Sequence, residues 1–227
     1  ATLNLVDIAG LVKGASKGEG LGNSFLSNIR EMNALAHVVR CFDDNNITHV
    51  DGEINSTRDA EVVNLELIFA DLETLSKRKE KIEKKLRSGD KNLANEFNLI
   101  ENCIKTLESG DFIDMSYFSN KEDLKIIQSF QLLTVKPIFF IANVSDTKSS
   151  KENLYNLKEY AKRMNQEVIE VQIKLEEEIA NLDAQDKKDF LELEGIEESA
   201  LNKIIKKGYE ILGLDTFFTA GPNELRA

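Results

Sequence analysis

The stretch Leu3-Asn4-Leu5-Val6-Asp7-Ile8-Ala9-Gly10-Leu11-Val12-Lys13-Gly14-Ala15-Ser16-Lys17-Gly18-Glu19-Gly20-Leu21-Gly22-Asn23 decides how the rest of the chain is read. Its opening, Leu3 to Asp7, is a short apolar alternation ending on an acidic residue, the pattern of a buried strand. Five of the chain's 12 glycines then fall between positions 10 and 22. Glycine this dense supplies positive φ and close backbone approach, which a ligand loop needs and a packed core does not. Asn23 opens a helix expected from Ser24 to about Leu35, with Phe25, Ile29, Met32 and Leu35 on one face, and His37 to Phe42 reads as a second strand. Strand, loop, helix, strand is a βαβ unit, so a parallel sheet is favoured.

Beyond a polar loop from Asp43 to Thr57 the periodicity changes. Leu65, Ile68, Leu72, Leu75, Lys79, Ile82 and Leu86 are spaced alternately 3 and 4 apart, a heptad seam with one basic interruption, on a helix expected from about Asp59 to Arg87. Ser88-Gly89-Asp90 makes a turn, and Leu93, Phe97, Ile100, Ile104 and Leu107 repeat the seam until Ser109-Gly110 stops it. Neither seam is buried alone, so the two helices are expected to form an antiparallel coiled-coil hairpin. A helix from Lys121 to Leu133 leads to Pro137-Ile138-Phe139-Phe140-Ile141-Ala142, a continuous apolar run of the kind buried on both faces of a sheet. A helix from Lys151 to Met164, a strand from Glu167 to Val171, helices over 184–193 and 198–212, and an irregular tail from Thr216 to Pro222 complete the reading. The expected architecture is α/β: a parallel-sheet domain over 1–57 and 134–215, interrupted by a helical coiled-coil insertion over 58–133, with 216–227 as a linker.

Composition narrows the classes. The chain has 227 residues, 41% hydrophobic and 30% charged, with no Trp and 2 Pro, which is a globular composition. A net charge of −11 argues against a surface built throughout to hold nucleic acid. Cys41 and Cys103 lack the spacing of a disulfide framework or metal site and read as small core residues in a reducing compartment. No apolar run reaches membrane-spanning length and the first residues lack the pattern of a signal peptide, so a cytoplasmic protein without a membrane partner is expected, with a monomer favoured.

Two short motifs carry chemistry. Asp7-Ile8-Ala9-Gly10 is D-x-x-G at a strand end, where the carboxylate can hold Mg²⁺ through water and the Gly10 amide can approach a γ-phosphate. The same four residues also suit a plain turn, and D-x-x-G occurs by chance about once in a chain of this size. Asn143-Val144-Ser145-Asp146 is N-x-x-D at the end of the buried strand. Its amide and carboxylate can read a purine edge, or make an Asx turn and cap the next helix. The order of the two motifs favours a ligand site, because both are expected at the carboxyl edge of one parallel sheet.

The run from Asp7 to Ser16, continuing through Gly18-Glu19-Gly20-Leu21-Gly22-Asn23-Ser24-Phe25-Leu26, resembles the switch II signature of the Obg-related P-loop NTPases. His37-Val38-Val39-Arg40-Cys41-Phe42, the Asn-x-x-acid motif and Thr216-Phe217-Phe218-Thr219-Ala220-Gly221 before Glu224-Leu225-Arg226-Ala227 narrow the resemblance to the YchF, or Obg-like ATPase, subfamily. It implies a G-domain that hydrolyses ATP, often GTP as well, with Mg²⁺, a coiled-coil insertion, a C-terminal TGS domain and association with ribosomes. By position, Asp7 and Gly10 would serve Mg²⁺ and the γ-phosphate, and Asn143 and Val144 would contact the base. Leu11 stands where Ras-like GTPases place the water-orienting Gln, so slow intrinsic hydrolysis is expected. The phosphate loop G-x-x-x-x-G-K-[ST] does not occur. The expectation is therefore that this chain is the middle of a longer protein and binds nucleotide weakly alone. Asp146 stands where the family usually has Glu, and Val144 where guanine-binding proteins have Lys, which leaves the base open between adenine and guanine.

Lys77, Arg78, Lys79, Lys81, Lys84, Lys85 and Arg87 against Glu80 and Glu83 give a net +5 over residues 77–87. A solvated helix face is one reading; a contact to RNA or the ribosome is the other, with Lys77, Arg78, Lys81, Lys84, Lys85 and Arg87 as its residues. If the first reading of the loop fails, the alternative function is a non-hydrolysing module that presents this hairpin to RNA or protein. His37, in an apolar strand, reads as structural. His49, in the polar loop, is either a surface histidine or the group that assists hydrolysis in place of the missing Gln.

Overall fold

A computed structural model of the chain describes residues 2–8, 21–44, 53–88, 93–196, 198–215, 219–221 and 224–226. The chain divides into two compact units, one of residues 1–7, 33–57 and 137–227, the other of residues 8–32 and 58–136. The helix after the glycine-rich loop is thus grouped with the helical insertion and not with the sheet.

The first unit is built on a parallel sheet of β1 (Leu35–Arg40), β2 (Ile138–Asn143) and β3 (Val168–Val171), in the order β1-β2-β3. Arg40, Asn143 and Val171 are partners in register, so the three strands end together at one carboxyl edge. The apolar run of β2 is buried on both faces, as its composition predicts. Phe139 and Ile141 pack with Val171 and with Ala200 of α8 (Ala200–Ile211). Phe140 points the other way, its ring near those of His37 and of Tyr160 on α5 (Lys148–Arg163). Helices α6 (Ile173–Ala180) and α7 (Ala184–Leu193) lie in sequence between β3 and α8. The tail expected to be irregular contains β4 (Thr219–Gly221) paired antiparallel with β5 (Glu224–Arg226), joined by two residues, the commonest hairpin connection length.

The strand expected at Leu3–Asp7 is not formed. Residues 2–8 carry no regular structure, and Leu5 and Val6 are exposed. Alternation yields a strand only where a neighbour accepts its backbone hydrogen bonds, and no described strand pairs here. Leu3 instead packs on α8, where a β carbon at Gly208 would lie 2.8 Å from a Leu3 methyl, so glycine is what permits the approach.

The second unit contains α1 (Leu21–Glu31), most of α2 (Ser56–Arg87), α3 (Ala94–Glu108) and α4 (Lys121–Ser129). The expected seam is its core: Ile68, Leu75, Ile82, Ile100 and Leu107 are buried, with Leu72, Leu86, Leu93, Phe97 and Ile104 packed against them. Leu65 departs from the pattern and is exposed, while Leu67, Ala70 and Asp71 beside the seam are buried. No helix among the described residues is long and apolar enough to cross a membrane.

Candidate functional site

The carboxyl edge of the sheet gathers three segments. The Cys41 N–H donates to Asn143 O (2.8 Å) and the Val144 N–H to Val171 O (2.9 Å), carrying the strand ladder one residue past the strands on both sides of Asn143. The following turn is held by its own hydroxyls: the Ser145 N–H donates to Oγ of fully buried Ser150 (2.9 Å), and Thr147 Oγ1 caps α5 by accepting from the Ser150 N–H. Ser149 Oγ donates to Asp43 of the segment after β1. That segment is fixed in turn by Arg40, whose Nε donates to Phe42 O (3.0 Å) and whose guanidinium lies 4.7 Å above the Phe42 ring. Lys174 reaches Asp44 from the β3 side (3.6 Å).

Within this edge Asn143 and Asp146 are oriented by the segment that leaves β3. The Ile173 N–H, first in α6, donates to Asn143 Oδ1 (3.4 Å), so the carboxamide of Asn143 caps that helix and turns its two N–H bonds elsewhere. Gln172 Nε2 donates to Asp146 Oδ1 (3.5 Å). Asn143 and Val144 are half-buried and Asp146 is exposed. The structure thus brings Asn143, Val144 and Asp146 together. It adds Gln172 and Ile173, which no motif in the sequence marks; the only available signal was that strand pairing places residue 172 opposite the N-x-x-D turn. The helix that follows Asn143, α5, is capped by Thr147; Asn143 Oδ1 accepts instead from α6, and among the described residues its amide N–H groups meet no partner.

Asp7 lies in the irregular segment 2–8 and is exposed. Gly10 and His49 fall outside the described residues. Among the described residues no group of three or more His, Cys, Asp or Glu could hold a metal ion. Mg²⁺ binds proteins through one or two carboxylates plus waters and substrate phosphates, so a lone exposed carboxylate such as Asp7 fits an ion that arrives with a phosphate ligand.

On α2 the basic run separates into two sets. Lys77 pairs with Glu73 (2.5 Å), Arg78 with Glu96 (2.7 Å), Lys79 with Glu101 (2.9 Å) and Arg87 with Glu83 (2.9 Å). Arg78 also lies 4.6 Å over the Phe130 ring, and Lys79 5.5 Å from the Phe97 ring. Arg78 and Lys79 thereby tie α2 to α3, and Arg78 also to Phe130 after α4, whereas Lys77 and Arg87 pair along α2 itself. Lys81, Lys84 and Lys85 are exposed, and their i, i+3, i+4 spacing puts them on one helical face.

A family model described as 50S ribosome-binding GTPase matches residues 1–71. The chain is 48% identical over 225 residues to the ribosome-binding ATPase YchF of Bacillus subtilis, covering 97% of this chain and 61% of that protein. It is 44% identical over 227 residues to the protein of the same name in Escherichia coli O157:H7, covering 100% of this chain and 62% of that one. The solved structure of the Schizosaccharomyces pombe YchF GTPase superposes with a TM-score of 0.81 at 33% identity, over 96% of this chain and 60% of that one. The α/β fold is that of the P-loop GTPases, and the chain spans roughly three fifths of the length of these relatives.

Proposed function

We propose, from the premise that this chain belongs to the YchF family of Obg-like P-loop NTPases, that its protein is a ribosome-associated, nucleotide-dependent switch. It binds and hydrolyses ATP, with GTP as the competing nucleotide, and works in the cytoplasm. The observation that carries this reading is the placement of Asn143 at the carboxyl edge of the parallel sheet, with Oδ1 held by α6 and its amide N–H groups left to donate. Open α/β sheets bind ligands at that edge, and a positioned amide donor suits a purine ring nitrogen.

Mg²⁺ would neutralise charge on the phosphates when bound, and Asp7 is the carboxylate suited to hold its water. The Gly10 amide would meet the γ-phosphate, and the loop from Gly10 to Gly22 would order on it. Catalysis is then positioning and electrostatics with no covalent protein intermediate. His49 would assist the attacking water, since Leu11 cannot orient it. On the insertion, Lys81, Lys84 and Lys85 are the cations suited to RNA phosphates.

Titration of the full-length protein tests the nucleotide reading. Asn143→Ala is expected to weaken ATP binding about tenfold or more, in keeping with loss of a hydrogen bond worth about 1.5 kcal/mol or more. Asp7→Ala is expected to raise the Mg²⁺ concentration needed for half-maximal turnover, with turnover still dependent on the ion. Unaltered binding by Asn143→Ala would sink the assignment of the base site, and equal turnover of His49→Ala and the unsubstituted protein would remove His49 from the mechanism.

A further inference from the structure

We infer that Gln172 reads the base edge, that Asp146 is its positioning residue, and that the pair selects adenine over guanine; this rests on the nucleotide reading above. Gln172 immediately precedes α6, the position from which a side chain commonly caps a helix, yet its carboxamide makes no capping hydrogen bond. The first N–H of that helix goes to Asn143 instead. Released from capping, the Gln172 side chain reaches across to Asp146, which the pairing of Asn143 with Val171 brings close although the two lie 26 residues apart in sequence. A carboxylate only accepts hydrogen bonds, so the amide nitrogen of Gln172 must face Asp146 and its oxygen must face away. The contact therefore settles which way round the amide sits.

The two purines present different edges. Guanine offers two donors side by side, N1–H and the 2-amino group, and an unengaged carboxylate complements both. Adenine offers a donor, the 6-amino group, beside an acceptor ring nitrogen, and its complement is a carboxamide, which accepts and donates at once. Here one oxygen of Asp146 receives Gln172 Nε2, which weakens the carboxylate as a bidentate partner for guanine. The remaining N–H and the Oε1 of Gln172 form the pattern that adenine matches. Gln172 is half-buried and Asp146 exposed, so the pair is ordered on one side and open to a ligand on the other.

Fluorescent ATP and GTP analogues titrated into the full-length protein test the inference, with thermal melts to verify that each variant is folded. The unsubstituted protein is expected to favour ATP. Gln172→Glu, which presents two acceptors, should shift the ATP-to-GTP affinity ratio toward GTP by about tenfold, as a bidentate base contact is worth roughly 1–3 kcal/mol. Gln172→Ala should lower ATP affinity several-fold while leaving GTP unchanged or tighter. Asp146→Asn, whose amide oxygen can still hold Gln172, should change the ratio less than Gln172→Glu does. A ratio unmoved within twofold by both Gln172 variants overturns the inference, and so does a ratio moved by Asp146→Asn alone. If the unsubstituted full-length protein binds neither nucleotide, the nucleotide reading itself falls, an outcome distinct from binding without discrimination by Gln172.

Discussion

Pairing in register with Phe140 sets the His37 ring 5.2 Å from that phenyl ring, and among the described residues Nδ1 is enclosed without a hydrogen-bond partner. Part of the residue remains accessible, but the enclosed nitrogen governs protonation, and burial pushes the pKa down from 6.5 to about 4. The folded state then refuses a proton that the unfolded chain accepts below pH 6.5. Stability is whole above that value and declines as pH falls toward 4, by on the order of 2 kcal/mol. Urea midpoints measured at pH 7 and pH 4.5 should diverge less for His37→Leu than for the unsubstituted protein; parallel loss would assign the acid sensitivity to other groups. Asp71 is the opposite case, a carboxyl with no exposure on α2. It accepts from the Leu133 N–H (2.9 Å), the Thr134 N–H (2.8 Å) and Thr134 Oγ1 (2.8 Å). Burial raises its pKa, and these donors and the charge of Arg30 oppose the rise without cancelling it. Asp71→Ala leaves two buried backbone N–H groups unpaired and is expected to cost about 3 kcal/mol in urea denaturation. A loss under 1 kcal/mol would mean that water takes over both donors.

The same contacts explain the boundaries of elements. The apolar pattern predicts a helix as far as Leu133, but α4 ends at Ser129 and Gln131 takes a left-handed φ of 54°. The N–H groups of Leu133 and Thr134, which a longer helix would have used, go to Asp71. Such an ending depends on a partner 62 residues away and has no local signal. The burial of Asp71 beside the seam has the same cause, since Leu133 and Thr134 return onto that face of α2, which no spacing in the sequence marks. The strand β2 was legible because burial on both faces leaves an unmixed apolar run. The N-x-x-D motif at its end was legible as a pattern, but the contact of Gln172 with Asp146 was not, because only the register of β3 brings Gln172 there. At the end of α1, Arg30 donates to Gln131 O (2.8 Å) and Thr74 Oγ1 (3.2 Å), and Lys136 Nζ donates to Arg30 O (3.0 Å) and to Met32 O. Lys136 thereby satisfies carbonyls that a helix terminus leaves open, and burial, with repulsion from Arg30, lowers its pKa. Lys136→Met should raise amide exchange across residues 26–31 by about 5- to 30-fold, equivalent to 1–2 kcal/mol. Unchanged protection there would show that packing alone holds the end of α1.

For the whole molecule, the net charge of −11 averages an acidic chain with a +5 run on one helix, and the structure divides that run again. Cations already engaged with Glu73, Glu83, Glu96 and Glu101 release little when they meet a phosphate, because an existing ion pair must be broken. Lys81, Lys84 and Lys85 are exposed on one face. If that face meets ribosomal RNA, each phosphate that a lysine neutralises should contribute about 0.7–0.9 to the slope of log affinity against log salt. Three lysines then account for a slope of roughly −2 to −3. Reversing all three to Glu in the full-length protein should weaken co-sedimentation with ribosomes and flatten its dependence on KCl by about that amount, while nucleotide affinity in the absence of ribosomes stays the same. Lys77→Glu, at a position whose ammonium is paired with Glu73, should flatten the slope by less than one unit. Equal effects from the paired and the exposed lysines would point to the overall charge of the protein and away from this face of α2 as the source of attraction.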